Sequence, residues 1–315
     1  MGLLGWGFLG GEGFLKRKFQ SALLVVGTVL IMVLMWGTVI EPYTLEIAEV
    51  TAFVPGLPPA WEGKVIAVTG DLQIGMWLDN ESTIRQAVAS IIDRDPAAVL
   101  LVGDHIYHSL PDPTKEVRRL QNLVLPLQEA EIPVYAVLGD HDYGKHFNNG
   151  HTSEALAGMV ASSFEDVGIK VLRNEARPLT LSGEIDSEGQ ALYLVGIGPE
   201  NPGKSNPEQA LAQVPQDAAR IVFFHNPDIV TMLPANSAPF AVSGHTHGGQ
   251  IRIPFTPDWN MLDVAVNGEF HAEGWFYDFG AEGNHLYVNR GIGFSLLPIR
   301  INAPPELTFF TLKNP

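Results

Sequence analysis

From Ser21 to Ile40 the chain runs twenty residues without a charge, SALLVVGTVLIMVLMWGTVI. At about 1.5 Å of rise per helical residue, such a run reaches roughly 30 Å, the thickness of a bilayer's hydrocarbon core. Lys16, Arg17 and Lys18 stand just before it, while Glu41, Glu46 and Glu49 follow with no Lys or Arg until Lys64. Cytoplasmic flanks carry the excess of Lys and Arg, so the N-terminus belongs in the cytoplasm and everything after residue 40 outside it. A cleaved signal peptide would have an apolar core of about 7–15 residues and a small-x-small cleavage site. This run is longer, and Thr38-Val39-Ile40-Glu41-Pro42 lacks such a site. A buried core helix would interleave polar residues. The reading is therefore a single-pass cell-membrane protein: a cytoplasmic segment (1–20), a transmembrane anchor (21–40), a tether entering a first edge strand (41–62) and an extracytoplasmic folded domain (63–315).

The composition, 46% hydrophobic and 17% charged, is that of a globular chain. With 19 basic against 35 acidic residues the formal net charge is -16. Such a surface repels polyanions, so nucleic acid is not an expected partner. There is no cysteine. Disulfides, thiolate ligands and a cysteine nucleophile are excluded, and any metal must be held by His, Asp, Glu, Asn or Gln.

From Lys64 onward apolar strands alternate with amphipathic helices, the pattern of a layered α/β or α+β domain. Strands are expected at Lys64–Thr69, Ala97–Val102, Val134–Leu138, Leu192–Ile197, Ile221–Phe224 and Phe240–Ser243. One helix, capped by Asn80, places Ile84, Ala87, Val88, Ile91 and Ile92 at helical spacing; a second begins near Thr114 and is interrupted by Pro126. Five of the strands run into a carboxylate or an imidazole: Asp71, Asp104, Asp140-His141-Asp142, His225 and His245-Thr246-His247. Loops at the carboxyl ends of strands converge on one point, which is where layered sheets hold ligands. His245 and His247, on an extended segment, would point to opposite sides and suit two different metals.

Taken together, Asp71, Gly103-Asp104, Gly139-Asp140-His141-Asp142, His225 and Gly244-His245-Thr246-His247 resemble the calcineurin-like metallophosphoesterase superfamily. The run GHTHGGQIRIP from Gly244 to Pro254 resembles its branch of membrane-associated phosphodiesterases, which includes UDP-2,3-diacylglucosamine hydrolases. So do Asn289-Arg290-Gly291-Ile292-Gly293, Arg300 to Leu307, and Glu41-Pro42-Tyr43. The resemblance implies a four-layer αββα sandwich, two mixed sheets flanked by helices, with two divalent ions (Mn, Fe or Zn) as cofactors. It assigns Asp71 and His247 to the first metal, with Gln73 at that position's remaining ligand site. Asp104 bridges both ions, Asp140, His225 and His245 hold the second, and His141 stands beside the leaving oxygen as the catalytic residue. Two such ions about 3.5–4 Å apart generate a bridging hydroxide at neutral pH and clamp an in-line displacement at phosphorus.

The chain departs from the family's usual residues at three places. Gln73 stands where a His is usual and offers only a neutral amide oxygen. Asp140 replaces Asn, so three carboxylates face the +4 of two ions and leave +1 rather than +2. Tyr107 stands where an Asp usually orients the catalytic His, so either His141 lacks that carboxylate or Asp142 or His108 substitutes. Elsewhere His105 reads as a neighbour supporting the bridging Asp. His146 and His151 read as loop residues with a substrate-contact role as the alternative, and His271 and His285 carry no motif. The aromatics Phe255, Trp259, Phe270, Trp275, Phe276, Tyr277 and Phe279 read as core, an apolar lip for acyl chains being the other reading. The function expected is metal-dependent hydrolysis of a phosphodiester or pyrophosphate, its partner a phosphoester substrate in an envelope lipid or a nucleotide-linked lipid. A broad phosphodiesterase on soluble nucleotides or small esters, or a non-catalytic metal-binding envelope protein, are the alternatives.

Overall fold

A computed structural model describes residues 11–76, 78, 80–107, 112–145, 151–181, 191–253, 260–261 and 271–315. His108, His146, Pro254, Phe255, Trp259, Phe270 and the first ten residues of the N-terminal segment lie outside the described residues.

The chain opens on helix α1 (Gly11–Met35), which continues through a π turn (Trp36–Ile40) and a 3-10 turn (Glu41–Tyr43). From Phe14 to Tyr43 it is long and apolar enough to cross a membrane. Its side chains are bare: Leu24 is 73% exposed and Ile31 60%. At roughly 25 cal/mol per Å² of apolar surface, a helix presenting leucine and isoleucine on every side is not at home in water. Its far end is packed, because Gly37 lies buried against Ile299 and Ile301, and the Arg300 N–H donates to the Gly37 carbonyl at 2.9 Å.

Beyond the helix the chain builds two mixed sheets. In the first the strands are β1 (Glu46–Phe53), β2 (Val65–Thr69), β3 (Ala98–Val102), β4 (Val134–Val137), β5 (Lys170–Val171) and β12 (Glu306–Lys313), ordered β1-β12-β2-β3-β4-β5. The second holds β6 (Glu175–Leu179), β7 (Leu192–Gly196), β8 (Arg220–Phe223), β9 (Ala241–Ser243), β10 (Gly274–Phe276) and β11 (Leu286–Val288), ordered β10-β11-β9-β8-β7-β6. The pleat sends alternate residues to opposite faces. Ile66, Val68, Leu100, Val102, Val137 and Phe310 of the first sheet therefore meet Leu194, Ile221, Phe223 and Val242 of the second between the sheets, while Ala67, Val99, Leu101 and Ala136 face helices.

Those helices are α2 (Glu81–Arg94), α3 (Thr114–Glu129) and α4 (Glu154–Glu165). The outer face of the second sheet is covered more thinly, by α5 (Pro207–Leu211) and a 3-10 turn from Pro227 to Met232. The result is the expected αββα sandwich behind one apolar helix. Two local expectations fail. Helix α3 runs straight through Pro126. Its stripe Leu120, Leu123, Val124 and Leu127 is buried in the core, and that burial outweighs the roughly 3 kcal/mol a mid-helix proline costs. Asn80 precedes α2 but its side chain does not cap it; the amide donates instead to the Ile292 carbonyl. Of the aromatics described between Trp275 and Phe279, Trp275 packs against Phe240 and Phe310, and Phe276 and Phe279 pack against the outer core of the second sheet, whereas Tyr277 is 58% exposed and departs from the core reading.

Candidate metal centre

Parallel strands in register deliver their last residues to one edge. β2 and β3 pair from Ile66↔Ala98 to Thr69↔Leu101, and β3 pairs with β4 up to Val102↔Val137. Ladder bonds then continue past the strand ends, Asp71 N–H to Gly103 O at 2.9 Å and Gln73 N–H to Asp104 O at 3.0 Å. In the second sheet Gly244 N–H donates to His225 O at 3.1 Å in the same way. His225 joins the two halves, its Nδ1 lying 2.9 Å from the carbonyl of Val102. At Gly103 (φ 96°) a Cβ would come within 2.7 Å of that ring, and at Gly244 one would lie 2.5 Å from Asp71 Oδ2, so only glycine fits either place.

The structure brings Asp71, Gln73, Asp104, Asp140, His141, His225, His245 and His247 into one cluster. Asp104 Oδ2 lies 3.2 Å from His225 Nε2, 3.1 Å from Gln73 Nε2 and 3.9 Å from His141 Nε2. His245 Nδ1 is 3.1 Å from His225 Nε2 and 3.6 Å from Asp140 Oδ2. His247 Nε2 is 3.6 Å from Asp71 Oδ1. The two GHTH imidazoles thus face different carboxylates, but not for the expected reason. Their segment is a left-handed turn rather than an extended strand, with φ 75° at His245 and 51° at His247. Asp71, Gln73 and Asp104 also have φ near +50°. Each such residue costs on the order of 1–3 kcal/mol, and conformations of that kind gather where geometry serves a site.

Among the described residues no Lys or Arg side chain pairs with Asp71, Asp104 or Asp140, although all three are buried. Burial raises Asp71 to about 7, with His225 opposing and Asp104 reinforcing the rise. Burial likewise lifts Asp140 against the pull of His245 and His225. For Asp104 burial acts upward, but His225 and His141 beside it hold the carboxyl well below its usual range. The matching effect appears on His225, where burial is outweighed by Asp104 and the ring is raised well above its ordinary value. Burial keeps His245 low, and burial with Arg300 keeps His247 lower still, so both favour the neutral imidazole that ligates a cation.

The donor set fits divalent cations. His225 and His247 place Nδ1 at the carbonyls of Val102 and Gly293, 2.9 and 3.4 Å away, which turns the Nε2 atoms toward carboxylates. Gln73 Oε1 is buried with no hydrogen-bond partner. Asp104, His225 and His245 offer three ligand atoms within 4.8 Å of one another. Three buried carboxylates, the low-pKa rings of His245 and His247 and an orphaned amide oxygen form a donor set suited to positive charge.

Supporting residues include several that sequence reasoning missed. Asn226 donates to both oxygens of Asp140 at 3.0 and 3.2 Å, and its only sequence signal is that it follows His225. Asp142 does not orient His141; it accepts from the N–H groups of His105, Ile106 and Gly139 and ties the β3 loop to the β4 loop. His141 Nδ1 lies 3.2 Å from the backbone carbonyl of Tyr107, and its ring stacks on that tyrosine at 4.9 Å. Arg300, fully buried, donates to the carbonyls of His247, Arg290, Gly291, Gly293 and Ala303. His105 sits apart from the cluster, bonded to the Val137 carbonyl and edge-on to Phe164. His151 is exposed, His271 stacks on Phe279, and His285 meets Tyr277 edge-on.

Comparison with known proteins adds a lineage to this geometry. The model of the calcineurin-like phosphoesterase family matches residues 64–249. The chain is similar to the uncharacterised metallophosphoesterase YkuE of Bacillus subtilis, 27% identical over 87% of this chain and 88% of that one. It is 29% identical to the phosphodiesterase YaeI of Escherichia coli, over 73% of this chain and 76% of the other. With the UDP-2,3-diacylglucosamine pyrophosphatase LpxG of Chlamydia trachomatis it shares 23% identity over 93% and 97% of the two chains.

Proposed function

Since the chain belongs to the calcineurin-like phosphoesterase family, hydrolases of phosphoester bonds, we propose that it is a membrane-anchored, dinuclear phosphodiesterase or pyrophosphatase acting on a lipid-linked phosphoester outside the cytoplasm. The observation that carries the proposal is the buried cluster of Asp71, Asp104 and Asp140, with no Lys or Arg paired to it among the described residues and with His225, His245 and His247 turned toward it. Asp71, Gln73, Asp104 and His247 would hold one divalent ion, and Asp104, Asp140, His225 and His245 the other. When bound, the two ions supply a nucleophilic water at neutral pH and offset the charge of a phosphate.

The protein's own groups do the rest. Asn226 fixes Asp140, Val102 O and Gly293 O fix the rings of His225 and His247, and water is kept from most of these ligands by burial. His141 is placed to serve the leaving oxygen. With its Nδ1–H on the Tyr107 carbonyl, the protonated ring presents Nε2–H toward the cluster. As the bond from phosphorus to the leaving oxygen breaks, that proton passes from Nε2 to the oxygen, and Nδ1–H stays on Tyr107 O. A backbone carbonyl thus takes the orienting role usually given to a carboxylate.

Support for a lipid-linked substrate is the apolar helix joined to the domain and the similarity to LpxG, whose printed name is that of a UDP-2,3-diacylglucosamine pyrophosphatase. The test uses the full chain in detergent, stripped by chelator, with bis(4-nitrophenyl) phosphate as substrate and Mn, Zn, Fe, Mg or Ca restored one at a time. Turnover should vanish on stripping and return with at least one transition metal. Turnover unaffected by the chelator would sink the proposal.

A further inference from the structure

The loop that leaves the metal centre at Gly293 and returns to it at Arg300 ends on the same histidine twice. Gly293 O lies 3.4 Å from His247 Nδ1, and Arg300 Nη1 donates to His247 O at 3.3 Å. Between these ends Leu296 and Leu297 stand 44% and 45% exposed. They are not loosely held. The Gln250 side chain donates to the carbonyls of Ser295 and Leu297 and accepts from the Ser295 N–H, all at 2.8 Å. Leu296 itself has φ 63°, a left-handed conformation that a leucine rarely adopts. The fold therefore spends stability to present two leucines outward.

Their surroundings point to what covers them. Ile299 and Ile301 rest on Gly37, three residues before the apolar run ends at Ile40, hence about 4.5 Å along the helix axis from that end. Leu297 lies two residues from Ile299, at most roughly 7 Å of extended chain. That distance keeps the leucines within the depth of the headgroup region, which adds about 5–7 Å to each side of the hydrocarbon core. From Gly291 to Asn302 the only charged residue is Arg300, and it is buried, although the protein's net charge is -16. Beside the loop a groove of about 600 Å³ has apolar walls from Val29, Met32, Val33, Trp36, Ile301 and Pro304.

We propose that the Ser295–Ile299 loop is a second membrane contact, in which Leu296 and Leu297 enter the headgroup–acyl boundary beside the anchor and seat the His247 side of the metal centre on the bilayer. This rests on the anchor reading above and deepens it: the centre is held at headgroup height, where the phosphate of a bilayer lipid lies, rather than on a free tether. The absence of cysteine allows one introduced thiol to be labelled alone. Leu296→Cys, Leu297→Cys, Val29→Cys and, as a control on the second sheet's outer side, Glu208→Cys are each made in the full chain. Each variant carries an NBD fluorophore and is reconstituted in phosphatidylcholine–phosphatidylglycerol vesicles, with and without nitroxide-labelled phosphatidylcholine. Labels at 29, 296 and 297 should lose most of their emission to the nitroxide lipid, while the label at 208 should not. A quenched label at 29 with 296 and 297 as bright as 208 would overturn the second contact and leave the anchor standing. An unquenched label at 29 would remove the anchor and this proposal together.

Discussion

Gln73 and Asp140 make the two halves of the centre unequal. Gln73 supplies a neutral oxygen, now orphaned, whereas Asp140 supplies a full charge steadied by Asn226. On the proposed assignment, the ion that Asp140, His225 and His245 would hold should bind more tightly, and the one that Asp71 and His247 would hold more weakly, with Mn preferred there over Zn. Calorimetric titration of the full chain should resolve two unequal sites; Gln73→His should tighten the weak one and Asp140→Asn loosen the strong one. Two equal sites would remove Gln73 from the ligand set. Asp71 adds a pH dependence. In the metal-free protein its carboxyl titrates at about 7, because burial raises it. Proton and metal compete for the same oxygens, so affinity at the weak site should fall as pH drops through about 7 and metal uptake there should release a proton. Asp71→Asn should abolish that release, measured by titration in buffers of differing ionisation enthalpy.

Elements that carry the proposed ligands were legible in the sequence wherever an apolar run ended abruptly in Asp or His, because a buried parallel strand reads as a near-continuous apolar run. Asp71, Asp104, Asp140, His225 and the GHTH pair lie where that pattern places them, together at the strand ends. What the sequence hides is backbone work. The Tyr107 carbonyl behind His141 leaves no residue signature, and the left-handed turn at His245 and His247 reads as extended because nothing but glycine advertises positive φ. Helix α3 was misread at Pro126 because local propensity was set against a tertiary gain invisible in that window. Restoring the missing N–H there with Pro126→Ala should raise stability by about 1–3 kcal/mol. Thermal unfolding should show the rise while turnover is unchanged, and a lower melting point would mean that the proline shapes the helix's packing.

At the scale of the whole molecule the αββα sandwich, the exposed apolar helix and the net charge of -16 fit the proposed enzyme working against a membrane. The proposed orientation, with the folded domain outside, rests on the basic cluster Lys16, Arg17 and Lys18 before the helix. A reporter fused after Pro315 that is active only outside the cytoplasm should therefore be active, and silence there with activity of a cytoplasmic reporter would reverse the topology. The central claim is that the buried cluster is a metal centre served by a separate proton donor, and metal content measured beside turnover tests it most directly. Asp104→Asn should lower bound metal and turnover together, because Asp104 faces ligands of both ions. His141→Ala should cut turnover by about 100-fold or more, the usual worth of a positioned acid, while metal content stays at the parent level. Equal loss of metal in both variants, or full turnover without His141, would contradict the account.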